Sequence, residues 1–349
     1  MLKRLVIENL TVFKDADIEF ADGLNVIIGE NGTGKSHILK AVYSVLSASC
    51  EVSKKAGGQE QLSALRSKTA EKLVNVFRSD TLGRLARRRQ GRAHCSLSLE
   101  FDDAGLDCAL GFSTLSRSEV RFEKMPAKTQ SAAPVFFPTR ELLTLYPNFV
   151  SFYESHYLPF EETYRDTCLL LGAPALKGPK SWEAQALLSL LEDALGGRVV
   201  LDAQGRFYLN VRGSGNMEMP LVAEGLRKLA MAAQLIGNGS LRSKGYFFWD
   251  EPECNLNPKL ILLVARIIVS LCKAGIQLFI ATHSLFLLRE LEILLSDKEF
   301  SAVSRRFIGL IPQEDSTIVE QADDAESLST ITMLDEEIAQ SDRYLKEVD

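Results

Sequence analysis

At 349 residues, 46 % hydrophobic and 25 % charged, the chain is long enough for one large α/β head or two smaller domains, and its composition excludes long disordered tracts. Charge interrupts every apolar run well short of the roughly 20 residues that span a bilayer. The opening segment, Met1 to Leu10, carries no signal-peptide core, so the expectation is a cytoplasmic protein with no membrane partner. Six cysteines (Cys50, Cys95, Cys108, Cys168, Cys254, Cys272) and four histidines (His37, His94, His156, His283) show no metal or redox spacing, which leaves reduced core thiols. The net charge of −6 conceals a polarity along the chain. Residues 51–92 hold eleven Lys or Arg against four Asp or Glu, and residues 314–349 hold two against twelve. The first segment reads either as a solvated basic face or as a surface for phosphates or a partner, and the second as a solubilising helix and tail.

In chain order, Lys3–Glu8 has strand composition and Asp17–Phe20 alternates before a turn at Asp22-Gly23. Leu24–Ile28 is nearly all apolar and β-rich, as buried parallel strands are, and it runs straight into a glycine loop. Helical spacing follows over His37–Leu46. Residues 51–92 read as a helical insertion bearing the cluster Arg87-Arg88-Arg89. Ser96–Phe101, Leu106–Phe112 and Glu119–Glu123 alternate and predict an antiparallel sheet, and Pro134–Phe137 another apolar strand. Residues 140–196 read as mostly helical, with Ser181 capping a helix that stops at Gly196-Gly197. A hairpin (Val199–Leu201, Phe207–Val211) precedes a helix from Glu224 to Ile236 and a strand at Tyr246–Trp249. Asn257 and Pro258 open the next helix, which ends at Gly275; Gln277–Ala281 is a strand leading to Thr282-His283-Ser284 and a leucine-rich helix. This alternation predicts a parallel sheet with helices on both faces.

The chemistry begins with Gly29-Glu30-Asn31-Gly32-Thr33-Gly34-Lys35-Ser36, the full G-x-x-x-x-G-K-[ST] pattern between a strand and a helix. Glycines let backbone N–H groups converge on a phosphate, and the helix that follows, which carries His37, adds its positive end. Lys35 is expected to bridge the β- and γ-phosphates of ATP and Ser36 to ligate Mg²⁺. The strand Tyr246–Trp249 ends in two carboxylates: Asp250 is placed for the metal shell, and Glu251 for orienting water and accepting its proton. His283 fits a γ-phosphate sensor; the alternative is that it caps its helix, a task Thr282 or Ser284 can also perform.

With these motifs in hand, the chain resembles the ABC ATPase superfamily, and within it the SMC/RecF-like and overcoming-lysogenization-defect-like heads. The resemblance rests on four blocks in order: Gly29–Ser36, Val222–Leu226, Trp249–Pro258 and Thr282–Ser284. It implies an α/β P-loop NTPase, ABC-type, with a mixed or parallel core sheet, an antiparallel β subdomain and a helical insertion. One head would cover residues 1–349, with the basic insertion at 51–92, a helical subdomain at 140–196 and an acidic C-terminal segment at 314–349. Glu251–Pro258 is similar to the family's D-loop region, which lies against a partner subunit. Val222-Ala223-Glu224-Gly225-Leu226 stands in the place of the signature motif, so the resemblance implies that Gly225 meets the γ-phosphate bound by a second copy. Ala223 replaces the usual serine, and Arg227 or Lys228 either compensates or belongs to a solvated helix face. The adenine-contact segment would fall at Asn9–Lys14, where Thr11 replaces a common arginine and Phe13 reads as core; no glutamine follows Phe137, which leaves Arg140-Glu141 as a positional equivalent.

Absence of sustained heptads between Ser36 and Gly225 excludes long coiled-coil arms. Phrases such as Pro138–Leu143 and Glu161–Tyr164 resemble ATPase subunits of bacterial anti-phage defence operons, the phage anti-restriction-induced system among them. Three functions stand as expectations. One is an ATPase, dimeric or of higher order through an ATP sandwich, that controls a separate effector, a nuclease or toxin from the same operon. Another is a RecF-like recombination or repair ATPase holding nucleic acid through 51–92. The third is a scaffold that ATP gates with slow turnover.

Overall fold

The computed structural model describes residues 1–53, 59–87, 91–175, 180–241, 245–328 and 332–348. Three strands open the chain: β1 (Leu2–Leu10), β2 (Phe13–Glu19) and β3 (Leu24–Gly29). Helices α1 (Lys35–Ser53) and α2 (Gln59–Phe77) follow, then β4 (His94–Phe101), β5 (Cys108–Ser113), β6 (Arg121–Lys124) and β7 (Val135–Phe137). Next come α3 (Tyr146–Ser155), α4 (Glu162–Leu171) and α5 (Trp182–Leu195), with strands β8 (Gly197–Leu201), β9 (Phe207–Val211) and β10 (Gly215–Glu218). The last third runs α6 (Glu224–Gly237), β11 (Tyr246–Asp250), α7 (Pro258–Lys273), β12 (Gln277–Thr282), α8 (Leu285–Ser296), β13 (Arg305–Pro312), β14 (Thr317–Ala322) and α9 (Thr332–Val348).

A six-stranded sheet, ordered β14-β13-β3-β12-β11-β7, forms the centre; its strands are parallel except for the antiparallel edge strand β14. Successive side chains of a strand point to opposite faces, and here both faces are covered. Phe247 and Trp249 of β11, Leu278 and Ile280 of β12, and Leu24, Val26 and Ile28 of β3 pack into one core with α5 to α8. Tyr246, Phe248, Phe279, Ala281 and Ile27 pack into the other, shared with α1, α2 and the antiparallel sheet β2-β1-β4-β5-β6. Two-sided burial is why these strands read as unbroken apolar runs. The third sheet, β10-β9-β8, lies beside the α5–α6 layer.

Helix ends follow local chemistry. Asn257 Oδ1 accepts from the Leu260 N–H at 3.0 Å with Pro258 at the first helical position, Ser181 caps α5, and Gly196 (φ +67°) closes it. Three expectations change. The first helix runs on to Ser53, because Ser44, Ser47 and Ser49 are buried along with the aliphatics and hide the periodicity. Residues 314–349 are more than a solubilising helix and tail: Thr317–Ala322 completes the core sheet and Ala325 and Leu328 enter the core. The hairpin after α5 gains a third strand, β10, all of whose residues are exposed and so carry no alternation. Of the cluster Arg87-Arg88-Arg89, Arg88 and Arg89 lie outside the described residues, and Arg87 turns inward, its guanidinium near the Thr11 and Val12 carbonyls.

Candidate nucleotide site

Strands β3, β11 and β12 run parallel and end together, so the segments that follow them meet at one edge of the sheet, where open α/β sheets take ligands. From β3 the chain enters the glycine loop. Gly34 has φ +98°, and a Cβ there would lie 2.6 Å from Val12 Cγ2 and 2.7 Å from the Phe13 ring, so only glycine fits. Thr33 Oγ1 donates to the Glu30 carbonyl at 2.9 Å, which fixes the loop's curl. Lys35 is 6 % exposed, and its Nζ donates to the Gly29 and Glu30 carbonyls at 2.8 and 2.9 Å. Burial pulls its pKa below the usual lysine value, while Glu251, Asp250, Glu253 and Glu30 act in the opposite sense. Among the described residues the Gly32, Gly34, Lys35 and Ser36 N–H groups have no backbone acceptor, while the His37 and Ile38 N–H groups donate to the Gly34 carbonyl at 3.0 and 3.1 Å. A loop and helix start with unspent donors fit a phosphate chain.

His37 shares a hydrogen bond of 2.9 Å with Thr11 Oγ1. Burial, aided by Lys40, lowers its pKa to about 4, so the ring is neutral at pH 7. Phe13 is fully buried and is core, as its composition suggested.

From β11 come the carboxylates. Ser36 Oγ donates to Asp250 Oδ1 at 2.9 Å, bringing the two expected metal ligands together. Burial pushes Asp250 up to about 6, against the Ser36 hydrogen bond and the charge of Lys40, which itself pairs with Glu161 at 2.5 Å. A buried carboxylate with no cation of its own, beside a serine hydroxyl, fits a small oxygen-seeking divalent ion. Glu251 stands next in a left-handed backbone conformation, φ +47°, with its N–H bonded to the Ala281 carbonyl at 2.9 Å. Its carboxylate accepts from His283 Nδ1 at 3.1 Å. Ser284 Oγ caps α8 by accepting from the Leu287 N–H, so His283 is released from that role. Glu253 is buried and holds the turn, accepting from Thr282 Oγ1 at 2.6 Å and from the His283 N–H at 3.3 Å. Sequence reasoning gave Glu253 no task; a third carboxylate beside Asp250-Glu251 was the available signal.

Gly225 sits at the start of α6, 14 residues long, against the segment after β11: a Cβ would meet the Asn255 carbonyl at 2.5 Å. Ala223 supplies no side-chain cap. Neither Arg227 nor Lys228 lies on a solvated helix face. Arg227 Nε is 3.4 Å from Glu141 Oε1, and Lys228, fully buried, donates to the carbonyls of Glu251 and Cys254. Glu141 also accepts from Thr144 Oγ1, whereas Arg140 is exposed. Within the chain Gly225 is thus packed on the Asn255 end of the Glu251 loop, while Ser36 of the P-loop meets Asp250.

Residues 113–289 match the family model described as "AAA domain, putative AbiEii toxin, Type IV TA system", and residues 4–131 match a further model described as "AAA domain". Among curated proteins, the chain is 52 % identical over 42 residues to DNA repair protein RecN of Aquifex aeolicus (12 % of this chain, 8 % of that protein). It is 45 % identical over 46 residues to the DNA double-strand break repair Rad50 ATPase of Methanopyrus kandleri (13 % and 5 %), and 42 % identical over 45 residues to DNA replication and repair protein RecF of Proteus mirabilis (13 % and 12 %). The chain therefore spans only a small part of the length of these relatives. Among solved structures, an SMC head bound to the C-winged helix domain of ScpA aligns with TM-score 0.58 at 13 % identity, over 94 % of this chain and 99 % of that one. An SMC head domain with an extended coiled coil, bound to the C-terminal domain of ScpA from Pyrococcus furiosus, aligns with TM-score 0.55 at 11 % identity, over 99 % of each chain. The match over residues 113–289 covers more than half of the chain, which belongs to that AAA-domain family and has the fold of the SMC heads.

Proposed function

We propose that the protein is a cytoplasmic ATPase that binds Mg-ATP between two copies of itself, hydrolyses it at that shared interface, and uses the nucleotide state to hold or release a separate effector in anti-phage defence. The observation that carries the hydrolytic part is the convergence of Ser36 with Asp250 and of His283 with Glu251 at one end of the sheet. The Gly29–Gly34 loop and Lys35 grip the phosphates; for Lys35 this means exchanging two carbonyl partners for phosphate oxygens. Ser36 and Asp250 would hold Mg²⁺, which draws negative charge off the phosphates when bound. Glu251 orients water and takes its proton, with the carboxylate aimed by the His283 Nδ1–H. That leaves His283 Nε2 to accept from water or, when protonated, to donate to a phosphate oxygen. Gly225 and the start of α6 complete the pocket of the second copy with backbone donors and the helix's positive end.

The family description, with its toxin–antitoxin wording, and the solved heads bound to ScpA domains support a protein effector. Glu251→Gln should keep Mg-ATP affinity and lose turnover by on the order of 10²-fold or more. Wild-type turnover by Glu251→Gln would remove Glu251 from the role of base. Co-purification with the product of the neighbouring gene tests the effector.

A second reading, nucleic-acid binding, is favoured by one observation. An open cleft of about 630 Å³ is lined by Arg66 of α2, Arg92, Arg121 of β6, His94, Ser116 and one acid, Glu119, and among the described residues these arginines have no carboxylate within ion-pair distance. The relatives' DNA-repair names agree with it. Duplex binding through the three arginines of this cleft should weaken by about 40-fold between roughly 50 and 200 mM salt. Binding that survives replacement of Arg66, Arg92 and Arg121 unchanged would exclude it.

A further inference from the structure

Lys228 is an unusual residue to bury. It is 0 % exposed on α6, and its Nζ donates to two backbone carbonyls, Glu251 at 3.2 Å and Cys254 at 3.1 Å. Among the described residues no carboxylate lies within ion-pair distance of it, and burial lowers its pKa, opposed at longer range by Cys254, Glu253, Glu251 and Glu224. A charge taken out of water without a paired acid is costly, and a well-packed apolar side chain would serve the core better. Where the ammonium spends its hydrogen bonds is therefore informative. One goes to Glu251, whose backbone is held in the left-handed region and whose carboxylate meets His283; the other goes to the far end of the same turn.

The same helix touches that turn a second time, since Gly225 packs against the Asn255 carbonyl too closely for any side chain, and Asn255 is itself left-handed, φ +64°. Arg227, one residue before Lys228, reaches Glu141 behind β7. The start of α6 is consequently fastened to the Glu251 loop by backbone packing at Gly225 and by hydrogen bonds from Lys228. A shift or rotation of α6 cannot occur without pulling on the Glu251 carbonyl or breaking both bonds.

We infer that Lys228 is a positioning residue that couples the α6 N-terminus to the backbone of Glu251, so that docking of that helix end on a second copy's nucleotide sets the carboxylate for attack. The inference rests on the proposed role of Glu251 as base. It assigns to Lys228 an effect on the hydrolytic step and none on the grip of the phosphates, which the P-loop provides.

The test is Lys228→Met, which keeps the length and volume of the side chain and removes its N–H donors, measured beside Glu251→Gln and the double variant. Lys228→Met should hold the wild-type melting temperature and bind Mg-ATP with Kd within about threefold of wild type, while kcat falls by about tenfold or more. In the Glu251→Gln background the same substitution should change the residual rate by less than about twofold, because two residues acting through one carboxylate are not additive. Lys228→Arg, which keeps donors and charge, should recover part of the lost kcat. If Lys228→Met does not fold, Lys228→Leu, which also lacks a donor, carries the same comparison. A folded variant with kcat within about twofold of wild type overturns the inference, as does a loss of Mg-ATP affinity in step with kcat, or a full additional loss on top of Glu251→Gln. Wild-type turnover by Glu251→Gln alone would instead remove the base assignment, and the two failures are thereby distinguishable.

Discussion

Glu251 holds a backbone conformation that costs a non-glycine residue on the order of 1–3 kcal/mol. Its amide, carbonyl and carboxylate are each tied to a different element: β12 through Ala281, α6 through Lys228, and the segment after β12 through His283. Strain kept in place by three separate restraints is what a fixed carboxylate requires. His37 shows a different kind of cost. Its pKa is lowered from 6.5 to about 4, chiefly by burial, so the unfolded chain takes up a proton that the folded chain refuses between those values. Stability from this source is whole above the unfolded value and drains away as pH falls toward 4. Denaturant unfolding should show about 2 kcal/mol less stability at pH 5 than at pH 7 from this residue, and His37→Asn should flatten that part of the profile. An unchanged slope would mean that the ring is solvated. At this scale the chemistry-bearing residues were legible, because Gly29–Ser36, Asp250-Glu251 and His283 sit at strand ends in recognisable order. The burial of Lys228 was not, since a lysine beside an arginine on a helix carries no local sign of the loop that will cover it.

Among the elements, β3 with α1, and β11 with β12, were readable because two-sided burial leaves continuous apolar runs and because the glycine loop separates strand from helix. Strand β13 was missed although Phe307, Ile308 and Leu310 are buried, and the other two missed strands were of the opposite kind. Strand β10 is exposed throughout, follows a turn at Gly213 and begins at Gly215, both with positive φ, so pairing with β9 alone defines it. Strand β14 was masked by the acidic composition around it. The basic segment 51–92 also looks different once folded, because part of its charge is spent internally. Lys72 of α2 is fully buried, with Glu51 of α1 at 2.6 Å, Glu162 of α4 at 2.8 Å and Asp166 of α4 at 2.7 Å. Tyr43 of α1 donates to the same Asp166 at 2.8 Å. These three acids could group around a metal ion, but the Lys72 ammonium already contacts each of them and joins three helices. Lys72→Met should therefore destabilise the protein by about 3–5 kcal/mol, the cost of leaving buried Glu162 without a cation, since Glu51 keeps Lys68 and Asp166 keeps Arg165. Equilibrium urea unfolding measures it, and a loss of under about 1 kcal/mol would mean that water reaches the cluster.

For the whole molecule, the proposed dimer asks each chain for two half-sites. The P-loop, Ser36 and Asp250 would form one, and the start of α6 at Gly225, packed on the Asn255 carbonyl of the turn after Glu251, would supply the other. A nucleotide gripped by one copy would then need the other copy's α6 to be enclosed, which is the central claim of the proposed function. No helix among the described residues is long and apolar enough to cross a membrane. Sedimentation of Glu251→Gln with Mg-ATP, alongside wild-type turnover per chain over a dilution series, tests the claim most directly. The account predicts a dimer that forms with Mg-ATP and dissociates without it, and turnover per chain that falls as the protein is diluted below its dimerisation constant. Turnover per chain that stays constant down to a demonstrated monomer, with no nucleotide-dependent dimer of Glu251→Gln, would contradict it.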